Sequence, residues 1–212
     1  MRVRISVQSG VPMGALKSPP GPNCVHLCVD MQRLFSVNGP WPAPWMQRVL
    51  PAVERLIAHC PERTVFTRFI PPPRPEDACG MWRAYYAKWS NVTREAMDLS
   101  LLRLMPELER FAPPAPVIDK PVYSGFATGA LHAYLQGKGV DTLIVTGSET
   151  DVCVLSTVLG AVDHGYRIII VKDGLCSSSD EAHDASLKLY ARRFQTQIEL
   201  ADAAEVRDVW RP

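Results

Sequence analysis

The sequence carries no strong field of either sign: 23 Lys and Arg stand against 22 Asp and Glu over 212 residues, and no charged block breaks the balance. Without such a field there is no long-range pull toward nucleic acid or an anionic bilayer, so neither is expected as a partner. Apolar runs are short too. None approaches the roughly 18 residues of a membrane span, and Met1 to Pro22 holds Arg2 and Arg4 but no apolar signal core. The expected location is the cytoplasm. The six cysteines, Cys24, Cys28, Cys60, Cys79, Cys153 and Cys176, form no C-x-x-C pair and are expected as reduced thiols. A G-x-G-x-x-G fingerprint is missing as well, which argues against a dinucleotide binder. No cofactor is expected, and the partner should be a small molecule.

What is present is a chain with 47% apolar and 21% charged residues, enough for one sizeable core. Residues 1–23, rich in Gly and Pro, read as a flexible leader to a single domain over 24–212. Short apolar runs predict buried parallel strands at Cys24–Val29, Thr64–Thr67, Val117–Ile118, Thr142–Thr146 and Arg167–Val171, with a weaker sixth at Gln197–Leu200. Between them, helical spacing covers Trp45–His59, Thr128–Gln136 and Val154–His164, and Ser178 with Glu181 has capping-box spacing for a helix to about Arg192. This alternation predicts a three-layer α/β/α, Rossmann-like fold around a mostly parallel six-stranded sheet.

In such sheets reactive groups collect beyond the carboxyl ends of the strands. Asp30 closes the first strand, Lys120 closes the third, and Gly147 to Cys153 joins the fourth to its helix. Each has a bland alternative: a turn cap for Asp30, a solvated surface lysine for Lys120, an inert buried thiol for Cys153. As a constellation they offer a base, a cation and a nucleophile. A thiol at a helix N-terminus beside a cation is expected to ionise readily, so iodoacetamide at neutral pH should label Cys153 ahead of the other thiols.

The blocks Val29-Asp30-Met31-Gln32, Asp119-Lys120, Tyr123-Ser124-Gly125-Phe126 and Gly147-x-x-Thr150-x-x-Cys153-Val154 resemble, in order, those of isochorismatase-like hydrolases. The likeness runs from Val25 to about Val206, and Val171-Lys172-Asp173-Gly174 with Ser178, Asp180, Glu181 and His183 extends it. The resemblance implies a Cys–Asp–Lys triad in which Asp30 takes the Cys153 proton, the sulfur attacks a carbonyl, and water cleaves the thioester. It further implies a cis peptide between Ser148 and Glu149 and an oxyanion hole from the N–H groups of Glu149 and Cys153. It makes a homo-oligomer, dimer or tetramer, the expected assembly.

Departures narrow the activity. Nicotinamidase-like members place an Asp-x-His pair and a further His after the second strand, whereas this chain reads Thr67-Arg68-Phe69-Ile70-Pro71, so no metal is expected. His26, His59, His132, His164 and His183 are taken as structural or surface groups. Isochorismate-cleaving members lack the nucleophilic cysteine, so Cys153 directs the expectation to a small amide, ureide or carbamoyl compound, as in carbamoylsarcosine amidase, biuret hydrolase or ureidoacrylate amidohydrolase. The alternative is a silent relative that binds a metabolite or partner. Phe35, Gln32 and Arg68 are the candidate substrate contacts, Arg68 being equally able to pair with a neighbouring acid. Trp82, Tyr85, Tyr86 and Trp89 share a helix face that reads as core or interface, and Pro71 to Pro75 as a stiff loop.

Overall fold

A computed structural model describes residues 16–212. Strands β1 (Cys24–Val29), β2 (Thr64–Phe69), β3 (Val117–Lys120), β4 (Thr142–Ser148), β5 (Arg167–Cys176) and β6 (Ile198–Ala201) form one sheet in the order β3-β2-β1-β4-β5-β6. Every pairing is parallel. Helices α1 (Met46–His59), α2 (Met81–Lys88), α3 (Pro106–Glu109), α4 (Ala130–Gly137), α5 (Leu155–Asp163), α6 (Asp180–Arg193) and α7 (Ala203–Val209) complete the chain.

Successive strand residues face opposite sides, so a sheet covered on both faces buries its strands at every position, largely with apolar side chains. β1 and β4 are buried throughout. Ile144, Ile169 and Val171 pack with Leu56 of α1, Val206 of α7 and Trp210, while Leu143, Val145, Ile168 and Ile170 belong to the cluster holding Leu131 of α4 and Val158 of α5. The three layers follow from that alternation. Strand order reverses direction at β1, flanked by β2 on one side and β4 on the other, which makes the β1/β4 boundary the switch point where such sheets open a crevice.

Several boundaries differ from the sequence expectation. β5 runs five residues beyond Val171, to Cys176. The cap of α6 is Ser179, whose Oγ accepts from Ala182 N at 3.2 Å, and not Ser178. α7 was not anticipated, although Asp202 and Glu205 close a reciprocal capping box at its start. Of the expected leader, residues 1–15 lie outside the described residues; Lys17 N donates to Glu199 Oε2 at 2.8 Å, and Arg167 Nη2 donates to Ser18 O at 2.6 Å, which lays residues 17–18 along β5 and β6. No described helix is long and apolar enough to cross a membrane.

Candidate active site

Asp30 follows β1 with φ of +50°, a left-handed backbone that Asp tolerates better than most residues. Its N–H donates to Thr67 O at 3.2 Å, and its Oδ1 accepts from Thr67 Oγ1 at 2.7 Å, so β2 fixes the carboxylate at the end of β1. On the other flank Gly147 pairs with Val29 at φ of +125°, and a Cβ there would stand 2.0 Å from Val29 O. Only glycine permits that approach. The chain then passes through a cis peptide between Ser148 and Glu149 into a single π turn, Thr150–Val154, before α5 begins. Cys153 therefore lies inside a wide turn and not at the N-terminus of a regular helix. The N–H groups of Val152 and Val154 both donate to Glu149 O, at 3.1 and 3.0 Å. Thr150 Oγ1 donates to Cys176 O at 3.1 Å and pairs with His183 Nδ1 at 2.8 Å, tying the turn to β5 and α6.

Lys120 starts from the sheet edge. Strands lie about 4.8 Å apart, so β3 is about 10 Å from β1, a gap that only a long side chain can bridge. Its ammonium crosses 5.1 Å from the Phe69 ring centroid, donates to Val122 O at 3.1 Å and meets Asp30 Oδ2 at 2.6 Å. Both side chains of this ion pair are fully buried. Burial works against the Lys120 charge, yet Asp30 and Cys153 beside it carry its pKa above the ordinary lysine value. Cys153, 4% exposed, goes the other way: burial first and the Asp30 carboxylate second hold its pKa well above that of a free thiol, against the opposing pull of Lys120. The expectation of a readily ionised Cys153 is thereby corrected: at rest the thiol keeps its proton.

Cys153 forms part of the wall of a cavity of about 590 Å³. Six aromatic side chains, Phe35, Trp41, Phe69, Tyr85, Trp89 and Tyr123, line it together with Pro40, Pro42 and Pro44. Trp41 is the hub, with the centroids of Phe35, Phe69, Tyr85 and Trp89 6.0–6.2 Å from its own. The aromatics of α2 and its C-cap Trp89 therefore divide: Tyr85 and Trp89 face the cavity, whereas Tyr86 is buried and Trp82 lies edge-on to Tyr123 at 4.7 Å. Trp82 and Tyr86 also border a second cavity of about 430 Å³, walled by Pro71, Pro72 and Pro73. That proline run is held in the fold by Arg94 N to Pro72 O and Glu95 N to Pro73 O, at 3.0 and 3.1 Å.

Of the candidate substrate contacts, Phe35 lines the cavity and the other two do not. Gln32 is consumed by the backbone: its Oε1 accepts from Phe69 N at 2.7 Å and its Nε2 donates to Phe69 O and Leu102 O, at 3.1 and 2.9 Å. Arg68 points to another surface, its fork closed on Asp119 at 2.8 and 2.9 Å. The cavity-facing residues missed from the sequence are Phe69, Tyr123 and the side chain of Glu149; Trp41 and Trp45 can be read beside Phe35 as candidate pocket aromatics, and of the two Trp41 lines the cavity. The Gly39-Pro-Trp-Pro-Ala-Pro-Trp45 run was the available signal, a stiff segment with aromatics set directly after Asp30.

The histidines fall outside this cavity. His26 bonds Thr146 Oγ1 at 2.8 Å in the core, where burial pulls its pKa down to about 3. His183 orients Thr150, and His132 stacks on His164 with centroids 3.9 Å apart. Among the described residues no three His, Cys, Asp or Glu side chains are grouped to hold a metal ion.

A model of the isochorismatase domain matches residues 24–202. The chain belongs to the isochorismatase family. An uncharacterised isochorismatase family protein of Bacillus subtilis is 32% identical to this isochorismatase-family chain over 81 residues, which are 38% of this chain and 44% of that protein. A maleamate amidohydrolase of Pseudomonas putida is 32% identical over 71 residues, 34% of this chain and 33% of the enzyme. Each match thus spans less than half of the relative's length. The crystal structure of a cysteine hydrolase from Pseudomonas syringae shares the fold, with a TM-score of 0.77 over 93% of this chain and 96% of that one at 22% identity.

Proposed function

We propose that this chain is a cysteine-dependent hydrolase of small amides or related C–N compounds, with Cys153 as nucleophile, Asp30 as general base and acid, and Lys120 as the fixed cation between them. The observation that carries the reading is Lys120. A lysine that spans two strands to be buried against a carboxylate and a thiol costs several kcal/mol in desolvation, a cost that surface or core packing alone does not explain.

The protonated resting thiol sets the order of events. Asp30 accepts the Cys153 proton as the sulfur attacks the substrate carbonyl carbon, so no free thiolate accumulates. The developing oxyanion is received by the N–H groups of Glu149 and Cys153, where one such donor is typically worth about 10²–10³ in rate. Asp30 then hands its proton to the nitrogen as the C–N bond breaks, leaving a thioester on Cys153. Water attacks the thioester with Asp30 again as base, and the proton returns to the departing sulfur. Lys120 transfers nothing; its positive charge stands against the Asp30 carboxylate throughout. The likeness to a maleamate amidohydrolase supports C–N cleavage as the class of reaction.

The test is ammonia release from a panel of amides, ureas and carbamoyl compounds by chelator-treated protein, compared with Cys153→Ala and Asp30→Asn. Turnover by the native protein that falls at least about 10³-fold in both variants, with an acyl adduct on Cys153 trapped by acid quench and seen by mass spectrometry, is the expected result. Retained activity in Cys153→Ala refutes the role given to the sulfur.

A further inference from the structure

The cavity at Cys153 has a charge pattern that the family relationship does not explain. Among the described residues that line it there is no Lys, Arg or His. Lys120 is sealed from it, fully buried and spent on Asp30 and Val122 O. Lys88 rests over the Trp89 ring, 5.5 Å from the centroid, without lining the cavity. The single ionisable carboxyl in the lining is Glu149, one residue past the cis peptide, whose Oε1 accepts from Ser178 N at 3.1 Å. Ser178 holds the carboxyl in place through its N–H and its side chain, at the wall of the cavity that Glu149 and Ser178 both line. The remaining walls are aromatic rings, proline and Val152.

Such a lining discriminates by charge. A carboxylate entering it would meet six aromatic rings, whose faces carry negative charge density, and the Glu149 carboxyl, with no cation to receive it. A positively charged group would meet the opposite: aromatic faces that attract cations, best for Trp and Tyr, and one acid to pair with. The Asp30–Lys120 pair adds no net charge behind the wall.

We propose that the substrate of this site is a cationic amide, one bearing an ammonium or quaternary ammonium group, and that Glu149 is the residue that selects for it. The inference rests on the reading of this cavity as the substrate site, and it separates this chain from the relative named for maleamate, an anion. Burial, the largest influence on Glu149, raises its pKa, the Ser178 side chain and N–H draw it down, and a cation in the cavity would add to that pull toward the charged form.

Binding tests this without requiring turnover. On Cys153→Ala, the intrinsic fluorescence of Trp41 and Trp89 is followed on titration with benzyltrimethylammonium and with phenylacetate, which carry the same ring and opposite charges. The expected Kd for the cation is at least tenfold lower, about 1.4 kcal/mol, and adding Glu149→Gln narrows the ratio to threefold or less. Phenylacetate binding as tightly as the cation, or a ratio untouched by Glu149→Gln, overturns the proposal. The first comparison uses no change at Glu149, so it decides even where that variant fails to fold. Binding of the cation with no amide hydrolysed sinks only the hydrolase reading. Hydrolysis of anionic amides in preference to cationic ones sinks only this one.

Discussion

Replacing Lys120 by Met removes the ammonium while keeping a chain of similar length against Phe69. What remains is the Asp30 carboxylate, fully buried, with Thr67 Oγ1 as its side-chain donor. Breaking a buried ion pair from one side typically costs about 3–5 kcal/mol, because the surviving charge is left without compensation. The variant can escape by protonating Asp30. Burial without a cation favours the neutral carboxyl, so taking up a proton recovers part of that loss.

The sign of the pH dependence follows. In Lys120→Met the folded protein favours the proton that neutralises the unpaired charge, so the variant loses stability relative to the native protein as pH rises. Relative to the native protein, the variant should therefore be least compromised near pH 5 and most at pH 7.5. In Asp30→Asn with Lys120→Met both charges are gone and the new carboxamide oxygen still accepts from Thr67, so most of the loss at pH 7.5 should be recovered, to within about 1–2 kcal/mol of native. Urea denaturation at the two pH values, with slopes compared to confirm that only the midpoint moves, measures all of this. A single variant within about 1 kcal/mol of native at pH 7.5, or a double variant no more stable than the single, refutes the reasoning. The double variant should stay catalytically dead, which separates stability from chemistry.

Iodoacetamide at pH 7.5 should modify exposed Cys79 at least about tenfold faster than Cys153, which is buried and protonated, with the Cys153 rate climbing as pH passes 9; peptide mapping reporting Cys153 first would contradict the high pKa given to it. His26, neutral in the fold with a pKa near 3 against 6.5 in a free side chain, contributes stability that is present above pH 6.5 and lost as pH falls toward 3. Between pH 7 and 4.5 that loss amounts to about 2–3 kcal/mol, and His26→Asn should be flatter by that amount in a chemical-denaturation series. Gly147→Ala would set a Cβ 2.0 Å from Val29 O, so it should abolish soluble expression or lower the melting temperature by well over about 10 °C.

What the sequence made legible is what depends on one element at a time. An apolar strand that ends in Asp30, or a glycine six residues before Cys153, can be read locally, since strand ends in a parallel sheet share one rim. Lys120 could be placed on that rim but not at Asp30, because its reach across β2 depends on β3 being the edge strand next to β2. The ionisation of Cys153 was misjudged for a related reason: proximity to a lysine is readable from order along the chain, whereas desolvation depends on how completely the neighbouring segments close over the sulfur. The same holds for the cavity. Its aromatic walls come from Phe35 and Trp41, from Phe69 at the end of β2, from Tyr85 and Trp89 in and just after α2, and from Tyr123, segments brought together by the path of the loops. Arg68 and Gln32 failed as contacts because each found a nearer partner, a carboxylate one strand away and the backbone of Phe69, and a polar side chain already satisfied has little left to offer a ligand. Glu149 is the converse case: held by Ser178, it is the one carboxyl in the lining of an otherwise largely apolar cavity. A half-buried acid on the cavity wall is a stronger guide to what enters the site than the catalytic residues are, since those specify the bond that is cut and Glu149 faces what is attached to it.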